Sequence, residues 1–258
     1  MNYNTEEMMT VAAARALSND DICFVGIGLP SAACNLARLT HAPQITLIYE
    51  SGTIRTRPSV LPLSIGDGEL CDTALATVSV PEMFRYWLQG GRITVGFLSG
   101  AQVDRFGNLN STVIGDYHRP TVRLPGSGGA PEVATSCGEI FIVMRQSKRS
   151  FVAELDFLTS LGHGRNGTER QAIGIRTKGP TLMISDLCTM TPDPAGNEFV
   201  VRSLHPGVSR EQICENTGWP IRFAETVEET RPPTRLELEA LRELNARTAT
   251  AHGVAASD

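Results

Sequence analysis

The sequence predicts an α/β protein built on a single open sheet with helices on both faces. Three observations carry that prediction. A short apolar run, Ile22-Cys23-Phe24-Val25, passes through Gly26-Ile27-Gly28-Leu29-Pro30 into a small-residue helical segment at 31–39. A second apolar run at 45–49 stops abruptly on Glu50-Ser51-Gly52, completing a strand, turn, helix and strand in succession. Further short apolar runs at 93–98, 139–144, 182–184 and 198–204 read as buried strands, being too brief for helices.

Taken in order, the first helix opens at Asn4, with Glu7 three residues on in capping-box spacing. Met9, Ala12, Ala13 and Ala16 continue it to about Leu17, and Asp20-Asp21 breaks it before the strand at 22–25. Pro30 suits the first turn of the next helix, where its missing N–H costs nothing. Residues 53–72, rich in Pro and Gly, read as a long loop over the sheet, and loops of that length are usually functional or disordered. Residues 80–89 read as a short amphipathic helix with Phe84, Tyr86 and Trp87 available to pack. Ser209 caps a helix at 209–215, with Gln212 three residues on. A final helix at 234–247 sets Leu236, Leu238, Leu241 and Leu244 against a charged face, and the tail at 248–258 is small, polar and expected to be mobile. No repeat and no dividing linker interrupts the chain, so residues 1–258 read as one domain.

Composition narrows the function. Of 258 residues, 41% are hydrophobic and 20% charged, ordinary values for a globular protein. A net charge of −5 with no basic block excludes a nucleic-acid partner. The six cysteines are scattered, with no CxxC pair and no zinc spacing, so they read as reduced core thiols, and no metal is expected. Glu6 and Glu7 near the start leave no basic n-region, and no apolar run nears the ~20 residues that span a bilayer. The expectation is a cytoplasmic protein without a membrane partner.

Glu50 is the best nucleophile or base on offer. It ends a strand, where open α/β sheets place ligands, and no Lys or Arg follows until Arg55. Gly26-Ile27-Gly28 lacks the third glycine of a dinucleotide fingerprint, because Ser31 stands there, and no GK[ST] ending makes a P-loop. Its better use is backbone N–H groups aimed at an oxygen that becomes negative. Gly126-Ser127-Gly128-Gly129-Ala130 reads equally as a close approach to a ligand and as a plain turn. His118 reads first as loop surface, and His163 and His205 lack metal spacing. Ser51, Ser99 and Ser127 lack a nucleophile elbow. Arg55 and Arg57 offer charge for an anionic acid or for phosphates.

The ordered set Gly26-Ile27-Gly28-Leu29-Pro30, Tyr49-Glu50-Ser51-Gly52, Gly100-Ala101-Gln102-Val103-Asp104, Gly107-Asn108-Leu109-Asn110-Ser111-Thr112 and Gly126-Ser127-Gly128-Gly129-Ala130 resembles the β subunits of family I CoA-transferases. Ile114-Gly115-Asp116-Tyr117-His118 and His205-Pro206-Gly207-Val208 liken it most to the glutaconate branch. The resemblance runs from the first helix to about Pro220. It implies the CoA-transferase family I fold, coenzyme A esters as substrates with no permanently bound cofactor, and an α subunit that completes a hetero-oligomeric active site. It implies Glu50 as the nucleophile that forms a glutamyl-CoA thioester. It also implies an oxyanion and acyl-CoA-binding set of Gly26, Ile27, Gly28, Ser51, Gly52, Gln102, Asn110, Ser127, Gly128 and Gly129. Two other readings stand beside it. A CoA-ester hydrolase on the same scaffold would release acid without a carboxylate acceptor. A ligand-sensing module of related fold would bind without needing Glu50.

Overall fold

The computed structural model describes residues 2–253. In chain order it runs α1 (Thr5–Arg15), β1 (Ile22–Val25), α2 (Leu29–Leu39), β2 (Thr46–Tyr49), β3 (Thr53–Ile54), α3 (Gly68–Asp72) and β4 (Ala76–Thr77). A single turn, α4 (Val80–Glu82), leads into a π-helical segment, Met83–Leu88, and then β5 (Val95–Leu98). Next come β6 (Gln102–Val103), β7 (Leu109–Asn110), β8 (Val113–Gly115), β9 (Pro120–Arg123), α5 (Ala130–Ser136) and β10 (Glu139–Val143). The chain closes through α6 (Glu169–Ala172), β11 (Pro180–Ile184), β12 (Cys188–Pro192), β13 (Phe199–Leu204), α7 (Arg210–Glu215), β14 (Arg222–Glu229) and α8 (Arg235–His252). The open-sheet α/β class expected from the sequence is borne out.

Two compact units are formed. One takes in the described residues up to Phe97 together with those from Pro232 on, and the other is Leu98–Arg231. In the first, the strand order is β5-β1-β2-β3-β4; β1 is parallel to both β5 and β2, and β3 and β4 fold back antiparallel. Val25, Leu47, Ile48 and Tyr49 are each at most 1% exposed, so both faces of this sheet are covered, which is why its strands read as continuous apolar runs. In the second unit the order is β10-β11-β12-β13-β14, parallel at its two ends and antiparallel in the middle, with β6-β7 and β8-β9 as separate hairpins.

Helix α1 has the capping box expected of Asn4 and Glu7, and α7 has that of Ser209 and Gln212. Several expectations need correction. The stretch at 53–72 is not one loop: β3 and α3 bound it, and Thr56 bonds to both the Leu70 carbonyl and Thr73 while Ser59 bonds to Glu69. Residues 80–89 coil mostly as a π-helix, which turns Met83 and Leu88 inward and leaves Tyr86 62% exposed. Leu236 is 66% exposed, because it stands two residues, some 200° of helix, from Leu238 on the buried Leu238, Leu241, Leu244 stripe. The supposed tail from 248 continues α8 to His252 and the left-handed Gly253, held by Thr248 and His252 bonds to Leu61; residues 254–258 lie outside the described residues. Strand β12 is unforeseen because threonines break up its buried Cys188 and Met190, and β14 because it is polar and mostly exposed.

Helix α8 joins the two ends of the chain. Arg15 on α1 makes a forked pair with Glu237, both bonds 2.7 Å, and Arg242 pairs with Glu7 at 2.6 Å. Partial burial works against the Glu237 carboxylate, but bonds from Arg15 and Thr234 prevail and hold its pKa down to about 2. A carboxyl lowered on folding stabilises above its unfolded pKa and loses that contribution as pH falls through the folded value. The urea midpoint of the chain should therefore drop between about pH 4.5 and about pH 2, and Glu237→Gln should flatten that drop; an unchanged pH profile in the variant refutes the assignment.

Candidate active site

The first unit builds the site around Glu50. In the parallel pairing of β1 with β2, Val25 stands opposite Tyr49. The next residues, Gly26 and Glu50, therefore leave the sheet at the same level. Gly26-Ile27-Gly28 crosses from β1 to α2, and Gly28 is the N-cap of α2 with a φ of +82°. No side chain caps this 11-residue helix and its first turn holds no acid. Amide N–H groups and the positive end of a helix thus flank the carboxylate's own strand, suited to oxygen that gains negative charge.

Gly52 N–H donates to the Tyr49 carbonyl at 3.0 Å, closing a reverse turn with Glu50 and Ser51 at its corners. The turn reverses the chain into β3, where Ile54 pairs with Ile48. Val78 N–H bonds to the Gly52 carbonyl at 2.9 Å and locks the turn from outside. Gly52 has a φ of +100°, and a Cβ there would lie 1.9 Å from the Val78 carbonyl oxygen. Only glycine fits the third position of Glu-Ser-Gly. Glu50 is half-buried, and among the described residues no hydrogen bond or ion pair holds its carboxylate.

Behind the turn lies a buried polar chain that the sequence reading missed. The Tyr49 hydroxyl and Ser31 Oγ of α2 are 2.7 Å apart, and burial holds the Tyr49 phenol far above its usual range. Asn35 Nδ2 donates to the Ser31 carbonyl, and Arg38 donates to Asn35 Oδ1 and to the Pro58 carbonyl. This chain ties the residue before Glu50 to α2 and to the following loop. Its one sequence signal is the polar Ser31 and Asn35, four apart within a run of alanines. Ser51 Oγ and Thr53 Oγ1, on either side of Gly52, are buried with no hydrogen-bond partner. Such orphans are uncommon and call for a reason.

Gln102, Asn110, Ser127, Gly128 and Gly129 lie in the second unit. Gln102 and Asn110 are directly paired across β6 and β7, with Asn110 Nδ2 donating to Gln102 Oε1 at 2.7 Å. Gln102 also donates to Asp156 and accepts from the Asp156 N–H; Asn110 donates to the Val113 carbonyl and accepts from the N–H groups of Thr112 and Val113. Both side chains are buried and tie the hairpin together, with both N–H groups of Asn110 engaged and one of the two of Gln102. Ser127, Gly128 and Gly129 make a turn, closed by Ala130 N–H on the Ser127 carbonyl, that leads into α5. Gly128 has a φ of +47° and open space where a Cβ would stand. His118 is exposed against the edge of Tyr117, whereas His163 and His205 are buried on the carbonyls of Pro180 and Ser185. Arg55 and Arg57 are exposed, and Arg55 takes a left-handed φ of +54°.

An uncommitted carboxylate is fixed on a tight strand-end turn of an α/β sheet, level with a glycine turn. The chain belongs to the coenzyme A transferase family, whose profile matches residues 6–216. It is similar to the β subunit of 3-oxoadipate CoA-transferase from Pseudomonas knackmussii, 65% identical over 97% of this chain and 96% of the relative. It is also similar to the β subunit of glutaconate CoA-transferase from Acidaminococcus fermentans, 34% identical over 90% and 88% of the two chains. The crystal structure of glutaconate coenzyme A-transferase from that organism superposes with a TM-score of 0.88 at 31% identity, covering 94% of both chains. The chain is thus a CoA-transferase β subunit. Of the two relatives, the 3-oxoadipate one is the nearer, which corrects the glutaconate leaning of the sequence reading. That leaning rested on Ile114-Gly115-Asp116-Tyr117-His118 and His205-Pro206-Gly207-Val208, of which His118 stands exposed at the surface and His205 is buried on the Ser185 carbonyl.

Gly52→Ala tests the turn. The clash with a backbone oxygen should cost on the order of 3–5 kcal/mol, read as a lowered denaturation midpoint, and full stability in the variant refutes the packing described. Tyr49→Phe leaves Ser31 Oγ unpaired in the core and should cost about 1–3 kcal/mol, which Tyr49→Phe combined with Ser31→Ala should partly restore.

Proposed function

We propose that this β subunit, joined to a separate α subunit, transfers coenzyme A between carboxylic acids through a covalent intermediate on Glu50, with 3-oxoadipate as one of the acids. The observation that carries this reading is Glu50 itself: an unpaired carboxylate at the corner of a locked turn, level with Gly26. The 3-oxoadipate assignment draws on the 65% identity to the relative that has that name. The six cysteines are all free, which suits the reducing cytoplasm.

The chemistry follows from the nucleophile. A Glu50 oxygen attacks the thioester carbonyl of an acyl-CoA, the C–S bond breaks, and CoA thiolate leaves behind an acyl-glutamyl anhydride. The thiolate then attacks the glutamyl carbonyl, and the anhydride C–O bond breaks to release the donor acid as its carboxylate. Glu50 is now a thioester with CoA. An acceptor carboxylate attacks that carbonyl, expelling thiolate and forming a second anhydride. Attack of the thiolate on the acceptor's carbonyl then yields the new acyl-CoA and restores Glu50. Each attack creates an oxyanion, and the amides of Gly26, Ile27 and Gly28 are the donors assigned to it. The orphan hydroxyl of Ser51 supplies a further donor to substrate oxygen. Because a thioester is exchanged for a thioester, the reaction needs no nucleotide hydrolysis.

Glu50→Gln should lower transfer by roughly a thousandfold or more in the assembled enzyme while leaving assembly intact. Borohydride added with an acyl-CoA donor should reduce the glutamyl thioester and give the Glu50 peptide a defined mass loss. Acid release without an acceptor and without that mass loss would replace the transfer mechanism with hydrolysis.

A further inference from the structure

The second unit carries a cleft of about 540 Å³ that takes no part in the chemistry assigned to Glu50. Its walls include Arg170, Arg176 and Lys178 and the amides Gln171 and Asn197, and no lining residue is acidic. In a chain of net charge −5 this is a local concentration of positive charge. The segment from 161 to 180 holds four cationic residues against one carboxylate, Glu169. Glu169 accepts the Arg165 N–H at 3.0 Å, and four cations less one carboxylate leave the segment a net charge of +3.

Arg170 is the unusual member. It is 2% exposed, and its guanidinium donates to the carbonyls of Thr177, Leu161, Gly162 and Ala134 and to Thr177 Oγ1. Every acceptor is a neutral oxygen. The N–H groups are satisfied, but the charge is not, and buried charges ordinarily have an opposite charge beside them. Burial brings its pKa down to about 10, so it remains a cation at neutral pH. Arg176, in the same wall, is exposed and has no hydrogen bond or ion pair among the described residues, and Gln171 is equally uncommitted. Lys178 shares its ammonium with Glu139 at 3.1 Å while 68% exposed, a pair weak enough in water to exchange for a better anion. Asn197 holds the Gly167 carbonyl. Gly167, Gly174 and Gly179 all have φ between +75° and +84°, conformations that let the backbone wrap closely around a small group.

We propose that this cleft is a binding site for the phosphate groups of a phosphate ester. A single carboxylate would leave most of the positive charge unmatched, whereas a phosphate monoester brings close to two charges and three acceptor oxygens. The volume lies within the range of small-molecule sites and exceeds what free phosphate needs. The inference stands apart from the role of Glu50. The phosphate comes either from the nucleotide end of a coenzyme A ester or from a separate phosphate metabolite.

The test is calorimetric titration of the full chain with adenosine 3′,5′-bisphosphate and, separately, inorganic phosphate. Saturable binding of either probe that weakens at least tenfold in the Arg176→Ala, Lys178→Ala double variant, and weakens with added salt, supports the site. Arg176→Lys should restore part of it. Competition of the bisphosphate with acyl-CoA in the assembled enzyme assigns the site to the coenzyme, and binding without competition assigns it to a separate ligand. No binding of either probe, or equal binding to the double variant with an unchanged thermal midpoint, overturns the proposal. Glu50→Gln should bind the probes as the unaltered chain does, so a failed transfer mechanism and a failed anion site are told apart.

Discussion

The parallel pairing of β1 with β2 sets the level of everything at the site. Val25 opposite Tyr49 brings the glycine turn after one strand beside the glutamate after the other. Neither segment has a function alone: a strand-end carboxylate is solvated, and a glycine turn is a connection. Side by side they put the proposed nucleophile next to amide donors, which is what a carbonyl passing through a tetrahedral oxyanion requires. Because β1 and β2 are buried on both faces, their register cannot slip without exposing Leu47 and Tyr49 or burying Glu50.

The rigidity of Glu50 comes from what surrounds it rather than from bonds to its own carboxylate. The Tyr49–Gly52 hydrogen bond, the Val78 clamp on Gly52 and the Tyr49–Ser31 pair hold the backbone on three sides. The carboxylate is left uncommitted, as the proposed nucleophile must be. An ion pair would fix its position better but would stabilise the resting carboxylate that has to react. The orphan hydroxyls of Ser51 and Thr53 suit the proposed mechanism in the same way, as buried polar groups with no partner within the turn.

Much of this was legible beforehand, and the limits have physical causes. Buried parallel strands are largely apolar, so β1, β2, β5 and β10 could be read from composition. Strand β12 could not, because threonines alternate with its buried Cys188 and Met190, nor could β14, an edge strand whose Arg and Glu are mostly exposed. Glu50 and Gly26-Ile27-Gly28 were found because sequence neighbours define a strand end and a turn. Gln102 and Asn110 face each other across a hairpin and share a hydrogen bond, a pairing visible only in the folded chain. Arg170 drew no attention for the opposite reason: its five acceptors come from residues 134 to 177, and no local pattern marks a cation whose partners are all backbone and hydroxyl oxygens.

By itself the sequence determined the α/β class, the strand-end position of Glu50, the glycine turns and the family, because each depends on residues adjacent in the chain or on an ordered set of short segments. The tertiary structure alone decided the level of Glu50 against Gly26, the need for glycine at position 52, and the buried chain from Tyr49 to Arg38. It also decided that Gln102 and Asn110 pair across a hairpin and that a cationic cleft surrounds Arg170. Each of these is a distance between residues remote in sequence, and such distances are set only when the strands pair and the core closes.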